Sequence, residues 1–233
     1  MKKLNIMATI TDGIALGMVN FLSLLLTTIL YILTIWIPYL NVGTTIAVSS
    51  LPAELAKGKV INPLFIFEGK YRRNMGEFFI LFALMSGGIS AGLMFGFIPG
   101  LVIAIAWNFA VVLFVDKDMS ALDALRESNR ITYGNKWRMF GTEFLLGLAF
   151  GVVASIIAGL TSIGHVSWLE AIGVIIVVAL AICIVPVMLG VEASIYKQLS
   201  TGEFLGEAKA PAAPVAEAPA APKAEVPAAA KAE

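Results

Sequence analysis

Four carboxylates stand near the expected ends of apolar stretches: Glu54, Glu77, Glu143 and Glu192. These are the side chains best placed to hold or relay charge. Glu77 and Glu143 fall at expected helix N-termini, where the helix dipole favours negative charge, so neither needs a further role. Glu54 and Glu192 fall at expected C-terminal ends, where the dipole disfavours them, so each needs a cation. Arg72, Arg73, Arg130, Lys136 and Arg138 are expected on the same side of a membrane. Glu54, Arg72, Arg73, Arg130, Lys136, Arg138 and Glu192 therefore read as an inner-leaflet polar belt. The belt is either a row of interfacial salt bridges or a site for a substrate or ion, because ionisable groups inside a membrane are functional candidates by default. Asn20, Asn41 and Asn108 lie deeper or at span ends and could bridge helices through hydrogen bonds.

The usual catalytic signatures are absent: there is no P-loop, no H-E-x-x-H, no CxxC and no nucleophile elbow. The only histidine, His165, is placed in a short outer loop, which excludes a histidine relay or multi-histidine metal site within one chain. The only cysteine, Cys183, lies in an apolar run, cannot form an internal disulfide, and reads as a small buried side chain. No catalytic residue, metal or cofactor is expected. Lys and Arg number 16, as do Asp and Glu, so net charge gives no reason to expect nucleic acid.

The elements that would position these groups are apolar. Of the 233 residues 59% are hydrophobic and 14% charged, and mean hydropathy is +0.89. A soluble domain carries about a quarter charged residues. The expected fold is an all-α membrane helix bundle over residues 1–200, with spans near 14–37, 39–57, 77–96, 98–116, 141–163 and 168–196. A short amphipathic segment precedes the first span, which is read as uncleaved because Asp12 interrupts the apolar run and no small-residue cleavage site follows. The stretch Glu77 to Val115 would reach about 60 Å as one helix, twice the hydrocarbon thickness. Phe97-Ile98-Pro99-Gly100 should therefore break it into a tight hairpin.

The second span is the least apolar, and charge decides it. Lys57, Lys59, Lys70, Arg72 and Arg73 form one basic segment, and Lys117, Arg126, Arg130, Lys136 and Arg138 another. With six spans and a cytoplasmic N-terminus both segments face inward and the outer loops hold no Lys or Arg. Within the second basic loop, Ser120 and Asp123 make a capping box, Ala121, Leu122 and Leu125 share a face, Gly134 stops the helix, and Trp137 suits the headgroup level. This reads as an elbow helix in the inner interface, or else an ordinary solvated loop helix. In the first reading its cations rest on anionic lipid and neutralise Glu54 or Glu192.

Small residues recur every four positions at Gly88, Gly92 and Gly96, and again at Gly147, Gly151, Ser155 and Gly159. Such glycine-zipper faces let helix backbones approach. They point first to packing within the chain, then to self-association, then to a glycine-lined path. Arg73 to Leu81 and Arg138 to Leu146 are weakly alike, a parallel repeat or a coincidence of composition. Residues 201–233 change to Ala, Pro, Glu, Lys and Val without aromatics past Phe204, which gives a disordered cytoplasmic tail, either a tether or a docking peptide.

Ile98-Pro99-Gly100, Asp116, Ser120, Ala124-Leu125, Ser128 and Gly134-Asn135-Lys136-Trp137-Arg138 resemble a pattern of largely uncharacterised bacterial six-helix membrane proteins, similar to the membrane domain of some glycerophosphodiester phosphodiesterases. The resemblance spans roughly residues 60–200. It implies a helical domain of the bacterial inner membrane and carries no catalytic residue over.

The expected role is a non-enzymatic envelope scaffold or accessory subunit. The alternative is a small transporter or lipid-handling protein. Membrane lipids are the expected partners, with a protein partner reached through the glycine faces or the tail. A transporter should hold a polar cavity reaching the midplane, whereas a scaffold should be packed solid there. In a Cys183→Ala background, cysteines at Lys59 and Ser162 should label from opposite sides of the membrane; labelling from one side would overturn the six-span topology.

Overall fold

The structure is a computed structural model that describes residues 3–162, 167–203 and 205. Among these residues every regular element is helical: α1 (Ile6–Val19), α2 (Phe21–Thr34), α3 (Leu40–Ser49), α4 (Leu51–Ala56), a 3-10 turn (Pro63–Phe67), α5 (Lys70–Arg73), α6 (Met75–Phe95), α7 (Phe97–Ala106), α8 (Ala110–Asp116), α9 (Ala121–Thr132), α10 (Lys136–Ser162) and α11 (Ser167–Thr201). Among the described residues four stretches are long and apolar enough to cross a membrane, Met75–Phe95, Phe97–Asp116, Lys136–Ser162 and Trp168–Thr201, and the bent pair α1–α2 makes a fifth if it counts as one span, against the six expected. The expected loop position of His165 and most of the expected tail lie outside the described residues.

The first expected span, 14–37, is not one straight helix. The chain forms α1 and α2, bent by 77°. Asn20 marks the bend. Its backbone leaves the helical region, and its side chain accepts from Ile61 N–H at 3.0 Å and donates to the Lys59 carbonyl at 3.4 Å. A side chain that satisfies a distant loop competes with continuation of its own helix. Asn20 thus bridges a helix to a loop instead of another helix. The amphipathic segment expected before the span is the first turns of α1.

The second expected span, 39–57, is also divided. Ser50 donates its hydroxyl to the Ala47 carbonyl at 2.7 Å, and Pro52 sits in the first turn of α4. Thr34 and Thr44 hydroxyls meet at 3.3 Å, and Tyr31 and Thr45 at 3.2 Å, which ties α2 to α3. The basic loop that follows tucks Ile61 and Ile66 back into the bundle.

The α6–α7 hairpin forms, with its break one position earlier than expected. Gly96 has φ 142°, a backbone open to glycine and strained for other residues, and Pro99 and Gly100 lie in the first turn of α7. Gly96 is therefore a hinge, not a packing residue. Gly88 faces the Trp107 ring, and a methyl added at Gly92 would meet Gly100 Cα at 2.9 Å. These two glycines pack within the chain, as the zipper pattern implies.

The second glycine stripe does not. A methyl added at Gly147, Gly151 or Gly159 would meet nothing within 4 Å. Among the described residues no other helix covers this part of α10, although α10 packs against α11, α1 and α7. The tightest crossing instead joins α1 to α11. A methyl at Gly13 would meet Val191 N at 2.7 Å, and one at Gly190 would meet Gly17 N at 2.5 Å. Polar contacts flank it: Ser194 donates to Asp12 at 2.7 Å, and Gln198 donates to the Thr9 hydroxyl at 3.0 Å.

The elbow helix α9 has its capping box, with Ser120 accepting from Asp123 N–H at 3.3 Å, and Gly134 has φ 82° just past its end. Its buried face is Ala121, Ala124, Leu125, Ser128 and Thr132, whereas Leu122 is exposed. The helix therefore turns its polar Ser128 and Thr132 inward.

Gly13→Leu and Gly190→Leu should lower thermal stability in detergent by about 1–3 kcal/mol or prevent folding. Gly151→Leu should stay within about 0.5 kcal/mol of wild type. A large loss for Gly151→Leu alone would show that its open face is covered in the intact protein.

Candidate functional site

The polar groups gather in two places. The first is at the C-terminal ends of α4, α8 and α11. Lys57 lies just past α4 and reaches Glu54 at 3.2 Å and also Asp116, the last residue of α8. Lys59 closes on Glu54 at 2.6 Å, and Tyr196 of α11 donates its hydroxyl to Asp116 at 2.8 Å. This charge network borders a cavity of about 380 Å³, which Lys70, Arg73, Asn74 and Asp118 also line, with Ile46 and Phe114 among its apolar walls. Asn74 donates to Asp118 at 3.2 Å. The Glu68 carboxylate, 2.7 Å from Lys70, holds that ammonium above its usual pKa.

The second place is where the chain Phe97–Asp116 breaks between α7 and α8. The break frees backbone groups that lipid could not satisfy. Two side chains of α9 take them: Ser128 donates to the Ala106 carbonyl at 2.8 Å and accepts from Phe109 N–H at 3.2 Å, and Thr132 lies 3.4 Å from the same carbonyl. Asn108, inside the break, lines a cavity of about 230 Å³ with Glu143 of α10 and Glu192 of α11, closed by Leu146, Met188 and Val191. The buried Asn108 Nδ2 has no hydrogen-bond partner. Glu143 and Glu192 line the same cavity, and among the described residues no cation lines it.

The expected belt is therefore divided. Glu54 has its cations, but they are Lys57 and Lys59. Glu192 has none and faces Glu143. The elbow cations are used elsewhere: Arg130 pairs with Glu127 at 2.6 Å, Lys136 donates to Asn129 at 2.8 Å, and Arg138 donates to the Leu4 carbonyl. Arg130 holds the Glu127 carboxyl below its usual pKa. The expected neutralisation of Glu54 or Glu192 by the elbow does not occur, because these shorter local partnerships come first. Arg72 donates to the Phe67 carbonyl at 3.1 Å, and Arg73 lines the larger cavity.

Glu77, which the dipole argument left without a task, accepts from Ala121 N–H at 2.9 Å and caps α9 from another helix. Lys57, Asp116, Tyr196 and Glu143 were not singled out together by sequence. One signal existed: Glu192 and Tyr196 stand four residues apart on one helix line. Among the described residues no three His, Cys, Asp or Glu side chains converge as a metal site. Comparison with protein families, curated proteins and solved structures found no match.

Lys57→Met should destabilise the protein by about 1–3 kcal/mol, because it removes the cation paired with Asp116 and one of the two paired with Glu54. Lys59→Met should cost less, since Glu54 keeps Lys57. Thermal denaturation of both in one detergent checks the order.

Proposed function

We propose that this chain is a non-enzymatic, multi-pass protein of the bacterial inner membrane that carries or handles a small polar or lipid solute. Of the two roles read from the sequence, this is the one a polar cavity favours over a solid scaffold. The observation behind it is the cavity shared by Glu143, Glu192 and Asn108. By helix rise Glu143 lies about 10 Å from the start of α10, and Asn108 about 12 Å from Asp116, which puts the acid pair in the inner half of the bundle. A pair of carboxylates in low dielectric needs positive charge. Among the described residues none lies at this cavity, so a proton or alkali cation must enter. A protein whose only task is packing has no use for such a site, since apolar residues of like volume would serve stability as well or better.

The six-span arrangement with both termini in the cytoplasm belongs to this reading, supported by the one-sided distribution of Lys and Arg. So does the tail as a cytoplasmic tether, supported by its composition. The likeness to the six-helix bacterial proteins agrees with the same topology. The scaffold or accessory role keeps one observation of its own, the uncovered face of α10 at Gly147, Gly151 and Gly159, which could seat a partner helix.

Thermal stability of the wild type in detergent should change with Na⁺ concentration or with pH across the neutral range, and the double change Glu143→Gln with Glu192→Gln should remove that dependence without unfolding the protein. In proteoliposomes the same double variant should abolish Na⁺- or proton-driven flux. Equal responses of wild type and variant would return the preference to the scaffold.

A further inference from the structure

The larger cavity, at the C-terminal ends of α4 and α8, has a charge pattern of its own. Its lining holds cations and carboxylates in equal number, but most of them answer one another. Glu54 is held by Lys57 and Lys59, and Asp116 by Lys57 and the Tyr196 hydroxyl. Lys70 pairs with Glu68 at the surface, both side chains about half exposed. Two groups are left over. Arg73 makes no ion pair or side-chain hydrogen bond among the described residues, and Asp118 receives only the neutral amide of Asn74. One free cation and one free carboxylate thus share one cavity of about 380 Å³ without reaching each other.

We propose that this cavity binds a phosphate–ammonium zwitterion, of the kind carried by an ethanolamine phospholipid or by free phosphoethanolamine, with the phosphate on Arg73 and the ammonium on Asp118. A purely anionic ligand would satisfy Arg73 but face Asp118 at close range, and a purely cationic one would meet Arg73. Guanidinium geometry suits two phosphate oxygens at once, and Lys70 adds a second cation beside it. Asn74 fixes Asp118 by donating to one carboxylate oxygen and leaves the other for an ammonium. The surroundings fit an amphiphile. Ile46, Phe114 and Val115 supply apolar wall. The helix that begins at Met75, directly after Arg73 and Asn74, exposes Phe79 and Phe82 to the lipid side.

This inference shares with the proposed function only the membrane setting. It does not depend on the Glu143–Glu192 cavity, and the glutamine double variant there should bind the zwitterion as wild type does.

The test uses the full chain in detergent, with native mass spectrometry after exchange into phosphatidylethanolamine or phosphatidylglycerol of the same acyl chains. Wild type should retain the ethanolamine lipid in preference to the glycerol lipid. Arg73→Gln should weaken retention of both by at least about tenfold, the loss of a bidentate charged contact. Asp118→Asn should weaken the ethanolamine lipid alone and so reverse the preference, a change that general unfolding would not produce. Arg126→Gln, which removes an exposed cation paired only with Asp123, should change neither. Free phosphoethanolamine separates the two sources: displacement of bound lipid by it assigns recognition to the headgroup alone, and failure to displace assigns it to the intact lipid. Equal retention of the two lipids by wild type, or an unaltered preference in Asp118→Asn, would overturn the proposal.

Discussion

The close crossing of α1 on α11 is the contact on which the bundle depends. Glycine at 13, 17 and 190 lets the two backbones meet with no side chain between them. Dispersion between closely fitted surfaces drives helix association in lipid, where apolar side chains gain little by leaving other apolar matter. Asp12, Thr9, Ser194 and Gln198 then lock the register with hydrogen bonds. With α1 fixed, α11 becomes the post against which α2, α4, α9 and α10 also lean. Val191, Ile195 and Tyr196 of α11 stand in the same buried cluster as Phe109 and Leu113 of the broken helix.

The second organising fact is that several expected spans are interrupted, and each interruption is answered by a side chain. Asn20 takes the loop at 59–61, Ser50 turns back on Ala47, and Ser128 and Thr132 of the elbow serve the break around 107–109. Irregular backbone is tolerated at membrane depth where protein satisfies it or where it lines a cavity. The break around Asn108 does both. Its backbone is served by α9, whereas the Asn108 side chain is left facing the acid pair. The elbow is thus a structural strut as well as a basic surface, and Glu77 secures its first turn from α6.

The two cavities differ in how charge is handled. At the C-terminal ends of α4 and α8 nearly every charge has a partner, and what is left over is a separated pair of opposite signs. Between α7, α10 and α11 both charges are of one sign and the third polar group is neutral. The first arrangement suits a ligand that brings both charges. The second suits one that brings a positive charge only.

The sequence by itself determined that the chain is helical and built of stretches apolar enough to cross a membrane, because run length and composition are local properties set by the bilayer. It also determined the hairpin break near Pro99, the capping box at Ser120 and Asp123 and the stop at Gly134, since turns and caps use residues adjacent in sequence. Glycine spacing announced flat faces but could not say which would be covered: Gly92 meets Gly100, Gly151 meets nothing among the described residues, and Gly13 and Gly17, four apart on α1, meet a helix remote in sequence. The site itself depends on contacts distant in sequence. A long cation such as Arg138 can reach many acceptors, and it takes one that folding brings within bonding distance, the Leu4 carbonyl. Glu143 and Glu192 become a pair for the same reason: distance in space fixes their interaction, and linear order does not carry it.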